Sequence, residues 1–227
     1  MHPPSLLLSP KRRAQRHGQA GRFSGWSLTN AGVFKVSVPP YQQDPWTRVR
    51  TVHDLPADEV ISAVQKEIRR GNTENAVLLA YEMLTTSPEL EAYLWGRLQV
   101  ISVEDVGFGQ VNAPVLVETL YQMHQRLPRP RGDRYLFAIH AVRYLCQCQK
   151  ERGSDDLLNW AKLAVEKQGR LPEIPDYAVD MHTRRGQEMG RDYEHFLTEA
   201  SKVDPEMPGR DLTYRERLLA AFRAGKL

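Results

Sequence analysis

The apolar residues beyond position 54 recur at the spacing of amphipathic helices. Val60, Val64 and Ile68 lie four residues apart, which places them on one face of a helix. The segment starts at 54–56, where an aspartate precedes a proline, and stops at Gly71. Proline suits the first turn of a helix and glycine suits its end, so these residues predict the bounds of a first helix.

Two further helices are predicted to follow with short connections. Asn72 or Thr73 begins the second helix, and Ser87 with the following proline begins the third. Helices joined by short loops pack as roughly antiparallel neighbours, so these three should start a bundle. The predicted buried residues are Val77, Leu78, Tyr81 and Leu84 in the second helix and Leu90, Leu94, Trp95, Leu98 and Ile101 in the third.

Helical patterns continue to the carboxyl end. A fourth helix opens at Asn112, Asp133 caps a fifth, and further helices are predicted over 154–169, 191–203 and 213–224. The predicted buried residues are Leu116, Leu120, Met123 and Leu127 in the fourth helix and Leu136, Ile139, His140, Tyr144 and Leu145 in the fifth, with the histidine interpreted as a core residue rather than a ligand.

The amino-terminal part differs from the helical body. Residues 1–25 lack an apolar period and are rich in Pro, Ser, Arg, Gln and Gly, which is typical of disorder. Residues 31–38 alternate apolar and polar side chains, which predicts one short strand without an obvious partner. We therefore predict an all-α, orthogonal multi-helix bundle with an extended amino-terminal arm. Its domains are a basic arm over 1–50, a helical domain over 51–170, and a helical extension over 171–227 that packs on the body.

The net charge of +3 among 227 residues is too small to indicate nucleic-acid binding by itself. Its distribution is more informative, because lysine and arginine cluster near the amino terminus and in a loop in the middle of the chain. Clustered cations are typical of contacts to phosphate groups. The candidate nucleic-acid-binding residues are therefore Lys11, Arg12, Arg13, Arg126, Arg129, Arg131 and Arg134.

The sequence lacks the motifs of common catalytic and metal sites. It has no G-x-x-x-x-G-K-[ST] phosphate loop, no H-E-x-x-H, no C-x-x-C and no G-x-S-x-G. Its two cysteines, Cys146 and Cys148, point to different faces of a helix, which suits neither a disulfide nor a shared metal. No apolar run approaches the roughly 18 residues of a membrane span. We expect a cytoplasmic protein without catalytic residues, metal, cofactor or membrane contact.

Two adjacent carboxylates, Glu104 and Asp105, follow the buried third helix and precede the glycines of 107–109. We call this pair the acidic corner. Carboxylates in such a place are costly unless they cap a helix, pair with a cation or bind a ligand. A structural role is the favoured interpretation, because perturbed charges mark functional sites only with some probability. The predicted partner of Asp105 is a basic residue of the carboxyl-terminal segment, Arg184 or Arg185.

A polar segment near the carboxyl end is the second candidate site. Its Asp180 can orient His182 as an acid–base group, and the arginines nearby suit a phosphate. A surface network that docks the segment onto the body is the favoured alternative. If the segment and the acidic corner converge on one pocket, the functional cluster is Glu104, Asp105, Asp180, His182, Arg184, Arg185 and Arg191.

Two motifs surround the acidic corner. Residues 66–80 read KEIRRGNTENAVLLA, and residues 96–107 read GRLQVISVEDVG. Across Glu59–Leu116 the chain resembles the carboxyl-terminal helical region of the RarA/MgsA family of AAA+ ATPases, whose motifs are K-x-I-R-x-x-D-x-x-A-A and R-R-L-x-x-I-A-S-E-D-I-G. Val103 interrupts the S-E-D element here, and residues 149–151 replace a K-S-N element at a later helix end.

In that family the region is a helical oligomerisation module that follows the ATPase and its lid and is similar to the collar of clamp loaders. The resemblance implies a collar-like module, here expected to lack the ATPase domain, that forms a homo-oligomer. The leading hypothesis is a non-catalytic module in DNA replication or repair that also contacts DNA. The alternatives are an enzyme or phosphate-binding protein built around His182 and Glu104, and a regulatory partner of a separate AAA+ ATPase or replication protein.

Overall fold

The protein is described from a computed structural model that covers residues 26–28, 34–36, 44–130 and 132–226. Its internal contacts divide the chain into two compact units, one that ends at Asp155 and one that begins at Asp156. The predicted disorder of residues 1–25 lies outside the described residues.

Two short strands precede the helices. β1 (Trp26–Leu28) and β2 (Phe34–Val36) pair in antiparallel register, with Trp26 opposite Val36. The strand predicted over 31–38 contains β2, but the expectation that it lacks a partner was wrong. The partner was missed because three residues are too few to show a clear alternation in the sequence.

Five helices form the body of the first unit, and Asp44 starts a short turn ahead of them. The Asp44 Oδ1 atom accepts a hydrogen bond from the Trp46 backbone N–H at 3.0 Å. The elements in order are a 3₁₀ turn (Pro45–Arg48), α1 (Ala57–Arg70), α2 (Thr73–Thr86), α3 (Pro88–Ile101), a π-helical turn (Ser102–Val106), a 3₁₀ turn (Gly107–Gln110), α4 (Ala113–His124) and α5 (Gly132–Gln147).

Two helix ends follow the local chemistry that the sequence predicts, whereas Asp133, the predicted cap of α5, lies in its first turn. Gly71 ends α1 in the left-handed conformation with φ 76°, which glycine adopts without a steric penalty. The Ser87 side chain accepts a hydrogen bond from the Leu90 backbone N–H at 3.2 Å, which caps α3. The predicted buried faces of α1 and α3 are confirmed, since Val64, Leu94 and their neighbours are inaccessible to solvent.

The buried faces of α2 and α5 differ from the prediction. Leu78 and Leu136 are each 63% exposed, Tyr81 is half exposed, and His140 lies at the surface rather than in the core. Alanine occupies much of the interior face instead, and small side chains let helices approach closely. The buried faces were predicted incorrectly because the largest apolar residues of each helix were assigned to the interior. The residues that do face the core are Ala76, Ala80, Met83 and Leu84 in α2 and Ala138, Ala141, Val142, Leu145 and Cys146 in α5.

The second unit has shorter helices and a small core. The buried side chains of Val179 and Leu197 form part of that core, and the Arg223–Glu194 ion pair at 2.6 Å joins two of its helices. The elements are α6 (Gly153–Lys162), which begins just before the division, a π-helical turn (Leu163–Lys167), a 3₁₀ turn (Asp176–Ala178), α7 (Arg184–Glu188), α8 (Tyr193–His195), a π-helical turn (Phe196–Ala200) and α9 (Thr213–Arg223).

The helical content confirms the predicted all-α class. None of the helices within the described ranges has both the length and the apolar character that a bilayer crossing requires.

Candidate functional site

The acidic corner is the turn by which the chain leaves α3. The helix buries its last residue, Ile101, and the backbone then widens into the π-helical turn Ser102–Val106. This turn buries both Asp105 and Val106, so a carboxylate enters the interior together with an apolar side chain. A buried charge is tolerated only if it is paired, so the Asp105 carboxylate requires partners within the fold.

The Asp105 carboxylate is fully buried and is bound by two arginines. Its Oδ1 atom accepts a hydrogen bond from Arg69 Nε at 2.5 Å and another from Arg152 Nη1. Its Oδ2 atom accepts from Gln65 Nε2 at 3.1 Å. Both oxygens are therefore occupied by donors from α1 and from the segment after α5.

The neighbouring Glu104 shares the same donors. Its Oε1 atom accepts from Gln65 Nε2 at 2.8 Å and from Arg69 Nη2 at 3.2 Å, and Arg152 Nη1 lies 3.3 Å away. Arg97 Nη2 lies 3.6 Å from the Oε2 atom. Three guanidinium groups thus surround two carboxylates, which neutralises the acidic corner.

The charge of Arg152 is held by this cluster. Burial opposes the charged guanidinium, but hydrogen bonds to Asp105 and Glu104 outweigh it and raise the pKa of Arg152 above its ordinary value. A further ion pair joins Arg152 to Asp155. Because Arg152 is 47 residues from Asp105 in sequence, no local pattern indicated this partner.

Close backbone packing explains the two glycines of the corner. Gly107 has φ +50°, and a Cβ atom on it would collide with the carbonyl oxygen of Glu151. A Cβ atom on Gly109 would collide with the carbonyl oxygen of Gln149. The segment 149–151 therefore lies directly against the corner, and only glycine leaves enough room for it.

The predicted pairing of Asp105 with Arg184 or Arg185 was wrong. Arg69 and Arg152 occupy its carboxylate, while Arg184 Nε donates to Glu188 Oε1 at 2.8 Å in the second unit. The partner of Asp105 is decided by which helix packs beside the corner, and that helix is α1. The spacing of charges along the sequence does not reveal which helices lie side by side.

A second buried carboxylate, Glu91 on α3, was not predicted from the sequence. Its Oε2 atom accepts from Arg129 Nη1 at 2.5 Å, and its Oε1 atom accepts from Arg134 Nε at 2.6 Å. Further donors of these arginines bind backbone carbonyls, including those of Leu84 at 2.8 Å and Leu127 at 2.6 Å. The cluster fixes the loop between α4 and α5 onto α3.

His124 adjoins this cluster and is also buried. Its ring stacks on Trp95 with 4.5 Å between centroids, and its Nδ1 atom donates to the Tyr121 carbonyl. Burial lowers the pKa of His124; the Tyr121 contact opposes this effect, and the nearby Arg134 adds to it. Burial in the core therefore favours the neutral form of His124.

The candidate nucleic-acid-binding residues have different surroundings. Arg129 and Arg134 direct their guanidinium groups to Glu91, whereas Arg126 is exposed. Arg131 and the arm residues Lys11, Arg12 and Arg13 lie outside the described residues. Phosphate contact by the described part of the loop would thus depend on Arg126.

The polar segment of the second unit holds an aspartate–histidine pair. Asp180 Oδ2 lies 3.0 Å from His182 Nδ1, and Asp180 Oδ1 accepts from the His182 backbone N–H at 3.0 Å. These hydrogen bonds lower the pKa of Asp180. Arg191 is bound to Asp176 through both carboxylate oxygens at 2.6 Å, and Arg185 is exposed. Glu104 and Asp105 belong to the first unit, so the convergence of all seven residues stays a prediction.

The described residues contain no group of three or more His, Cys, Asp and Glu side chains with the arrangement of a metal site. In the same part of the chain both cysteines are free thiols, with Cys146 buried and Cys148 partly buried.

Comparison with known proteins gives two findings. The family described as MgsA AAA+ ATPase C terminal matches residues 71–207, which is more than half of the chain. The "Replication-associated recombination protein A" of Bacillus subtilis (strain 168) is 32% identical over 148 residues, which cover 63% of this chain and 34% of the relative. The chain spans about a third of the length of that relative.

The matched range contains Glu104, Asp105, Arg152 and the Glu91 cluster, so the residues that build the corner lie largely within the family's own region. The chain therefore belongs to the MgsA AAA+ ATPase C-terminal family, as its resemblance around the acidic corner predicted.

Proposed function

We propose that the protein is a non-catalytic interaction module that self-associates and works in DNA replication or repair. The observation that carries this proposal is a contrast within the first unit: the buried carboxylates are paired with arginines, whereas large apolar side chains are exposed. Large apolar side chains stand at its surface at many positions, among them Leu78, Tyr81, Phe108, Val111, Val115 and Leu136. Tyr81 and Leu136 of this set line one shared surface cleft, and adjoining exposed apolar groups are typical of protein interfaces.

The surroundings of the acidic corner support a structural role for it. A general acid or base must reach its substrate with a free lone pair or proton. Asp105 is inaccessible to solvent and binds Arg69 and Arg152, so its charge is already used inside the fold. The alternative of an enzyme or phosphate-binding protein then depends on the Asp180–His182 pair, whose imidazole is exposed.

Charge distribution supports DNA contact through the arm rather than the body. Residues 1–43 contain six lysines and arginines and no aspartate or glutamate. Since the whole chain carries +3, the remaining residues carry −3. An acidic body repels phosphates, whereas a basic arm releases counterions from DNA when it binds. We therefore assign the DNA contact to Lys11, Arg12 and Arg13.

The name of the Bacillus subtilis relative supports the cellular context. That protein is called replication-associated, and we propose the same setting and a cytoplasmic location for this chain. A separate AAA+ ATPase or another replication protein is the partner class that this setting suggests. Capture on immobilised chain, followed by identification of AAA+ proteins, tests this partner; a capture that yields none contradicts it.

Light scattering over a range of concentrations tests self-association. The chain has a mass of 26.0 kDa, so a mass that rises above this value with concentration is the expected result. A mass that stays at 26.0 kDa at all concentrations would contradict the proposal.

Fluorescence anisotropy with a labelled oligonucleotide tests DNA contact. We expect affinity to fall steeply as salt rises, and substitution of Lys11, Arg12 and Arg13 by alanine to reduce the log–log salt slope by up to about 3. Arg126→Ala is the matched control and should leave the slope unchanged within about 1. Absence of oligonucleotide binding at low salt would contradict the assignment of DNA contact to the arm.

A further inference from the structure

Three basic side chains converge on the buried Glu91 carboxylate. Arg129 Nη1 binds its Oε2 atom, and Arg134 Nε binds its Oε1 atom. His124 Nε2 lies 3.7 Å from the same Oε1 atom, just beyond hydrogen-bond distance. The side chains of His124 and Glu91 are only 1% and 3% exposed, so His124 and Arg134 face one oxygen atom inside the core.

The contacts of the His124 ring fix which nitrogen carries the hydrogen. Its Nδ1 atom contacts the Tyr121 carbonyl, and its face stacks on Trp95. Because a carbonyl oxygen only accepts, Nδ1 carries the hydrogen of the neutral ring and Nε2 carries a lone pair. That lone pair is turned towards a carboxylate, whereas a proton at Nε2 would donate a charge-assisted hydrogen bond to it.

Segment 125–130, which follows α4, is held by the groups that this proton would disturb. Gln125 Nε2 lies 3.4 Å from His124 Nε2, and an amide N–H can donate there only to the lone pair of the neutral ring. Arg134 Nη1 binds the Leu127 carbonyl at 2.6 Å, and its charge is paired with Glu91. Arg129, within the segment, is paired with the same carboxylate. The segment is therefore attached to the core through the neutral ring and one carboxylate.

The same segment forms one edge of a surface cleft in the first unit. The cleft encloses about 350 Å³ and is lined by apolar and aromatic residues of α2 and α5 together with the end of the segment, namely Tyr81, Pro130, Gly132, Tyr135, Leu136 and Ile139. The Arg129 guanidinium carbon also lies 5.9 Å from the centroid of the Tyr135 ring. The position of the segment therefore sets the shape of the cleft.

We propose that the Glu91 cluster, formed by Glu91, His124, Arg129 and Arg134, is a proton-sensitive switch for segment 125–130. A proton taken up from water at His124 Nε2 lets the ring replace Arg134 on the Glu91 Oε1 atom. The displaced arginine then no longer holds the Leu127 carbonyl, and the segment detaches together with the Pro130 edge of the cleft. The switch does not depend on the proposed function, since it requires neither a partner nor DNA.

The surroundings of His124 determine the direction of the response to pH. Burial has the largest effect and lowers the pKa of His124, the Tyr121 carbonyl and Glu91 raise it, and Arg134 lowers it. The Tyr121 ring and Arg129, on the other Glu91 oxygen, complete the titratable and charged groups nearby. In the detached state the ring is less buried and has lost the repulsion of Arg134, so that state binds the proton more strongly. The detached population should rise as pH falls below 6.5, by at most about tenfold per pH unit.

Hydrogen exchange of the full chain between pH 5 and pH 7.5, corrected for the intrinsic exchange rate, tests the switch. The amides of Arg126 and Leu127 are the reporters, since they donate to the Met123 and His124 carbonyls at 3.2 and 3.0 Å. We expect their protection to fall by about fivefold or more between pH 7 and pH 5, while that of α1 stays within about twofold. An equal loss in α1 and the segment would mean global unfolding and would overturn the switch, as would constant protection of the segment.

Two histidine variants and one titration assign the response. His124→Asn should make the protection of the segment independent of pH, whereas His140→Asn, the matched control at an exposed histidine of α5, should keep the wild-type response. Nuclear magnetic resonance of the wild-type imidazole should give a midpoint for His124 that coincides with the midpoint of segment opening. Different midpoints, or a His124→Asn chain that still responds to pH, overturn the switch. Circular dichroism checks that each variant keeps its helices.

Discussion

The backbone N–H of Glu151 donates a hydrogen bond to the carbonyl oxygen of Asp105 at 3.0 Å. The next residue, Arg152, binds the Asp105 carboxylate. Backbone and side chain of one short segment therefore hold the same residue. Regions linked in this way open together, so the corner and the segment after α5 should form one cooperative unit.

Asp105→Asn is expected to destabilise the first unit by about 3 kcal/mol. The substitution removes the buried counter-charge of Arg69 and Arg152, which then keep Glu104 as their shared carboxylate partner, and Asp105 is wholly buried. Urea denaturation measures the loss. Glu118→Gln is the control, because Glu118 is exposed and pairs with glutamines, and it should change the free energy of unfolding by less than about 0.5 kcal/mol. Equal values for both variants would contradict the structural role of the acidic corner.

Two glycine substitutions are expected to have opposite signs. Gly109→Ala should destabilise the fold by about 1–3 kcal/mol, because its Cβ atom meets the Gln149 carbonyl. Gly96→Ala should stabilise it by about 0.5–1 kcal/mol, because the position is helical and open. Thermal unfolding of the two variants measures the difference. A stabilising Gly109→Ala would show that segment 149–151 does not pack against the corner.

Arg129→Ala and Arg126→Ala form a matched pair in the loop between α4 and α5. Arg129→Ala should reduce the free energy of unfolding by about 2–4 kcal/mol, since it leaves the buried Glu91 charge with one arginine fewer. Arg126→Ala should change it by less than about 0.5 kcal/mol, because that side chain is exposed. Urea midpoints report both. Equal urea midpoints for the two variants would contradict the stabilising role of the Arg129–Glu91 pair.

The buried His124 makes stability depend on pH. Its pKa in the folded state is lowered from 6.5, so the unfolded chain binds more protons in the interval just below that value. The free energy of unfolding should therefore rise as pH rises towards 6.5, by at most about 1.4 kcal/mol per pH unit from this group. Above that pH the contribution is complete.

Urea denaturation at several pH values between 5 and 7.5 measures this slope. His124→Asn keeps a donor near the Tyr121 carbonyl but does not titrate, so it should flatten the curve. A slope that is the same in wild type and variant would mean that another group is responsible.

Much of the helical order was predictable because the signals are local. Gly71 and Ser87 act through their own conformation or side chain, and both end or begin helices where the sequence indicates. The buried face of α3 was also clear, since Leu90, Leu94, Leu98 and Ile101 repeat at helical spacing.

Charge partners were less predictable, because they depend on which helices lie side by side. Arg152 and Asp105 are distant in sequence, and Glu91 resembles an ordinary surface residue until Arg129 of a later loop and Arg134 of α5 bind it. The basic loop was interpreted as a phosphate-binding surface, yet Arg129 and Arg134 face inward. A cluster of like charges in sequence does not reveal the carboxylate that lies between them in space.

The ion cluster around Asp105 has a consequence for how the chain can be divided. Each of its members, Gln65, Arg69, Arg97, Arg152 and Asp155, precedes the point where the second unit begins. A fragment cut after Asp155 would inherit the full set of charges, whereas one cut at the end of α5 would lose Arg152. A fragment meant to contain the complete first unit should therefore end at Asp155, eight residues after the end of α5, because the ion pairs of the corner require the residues in between.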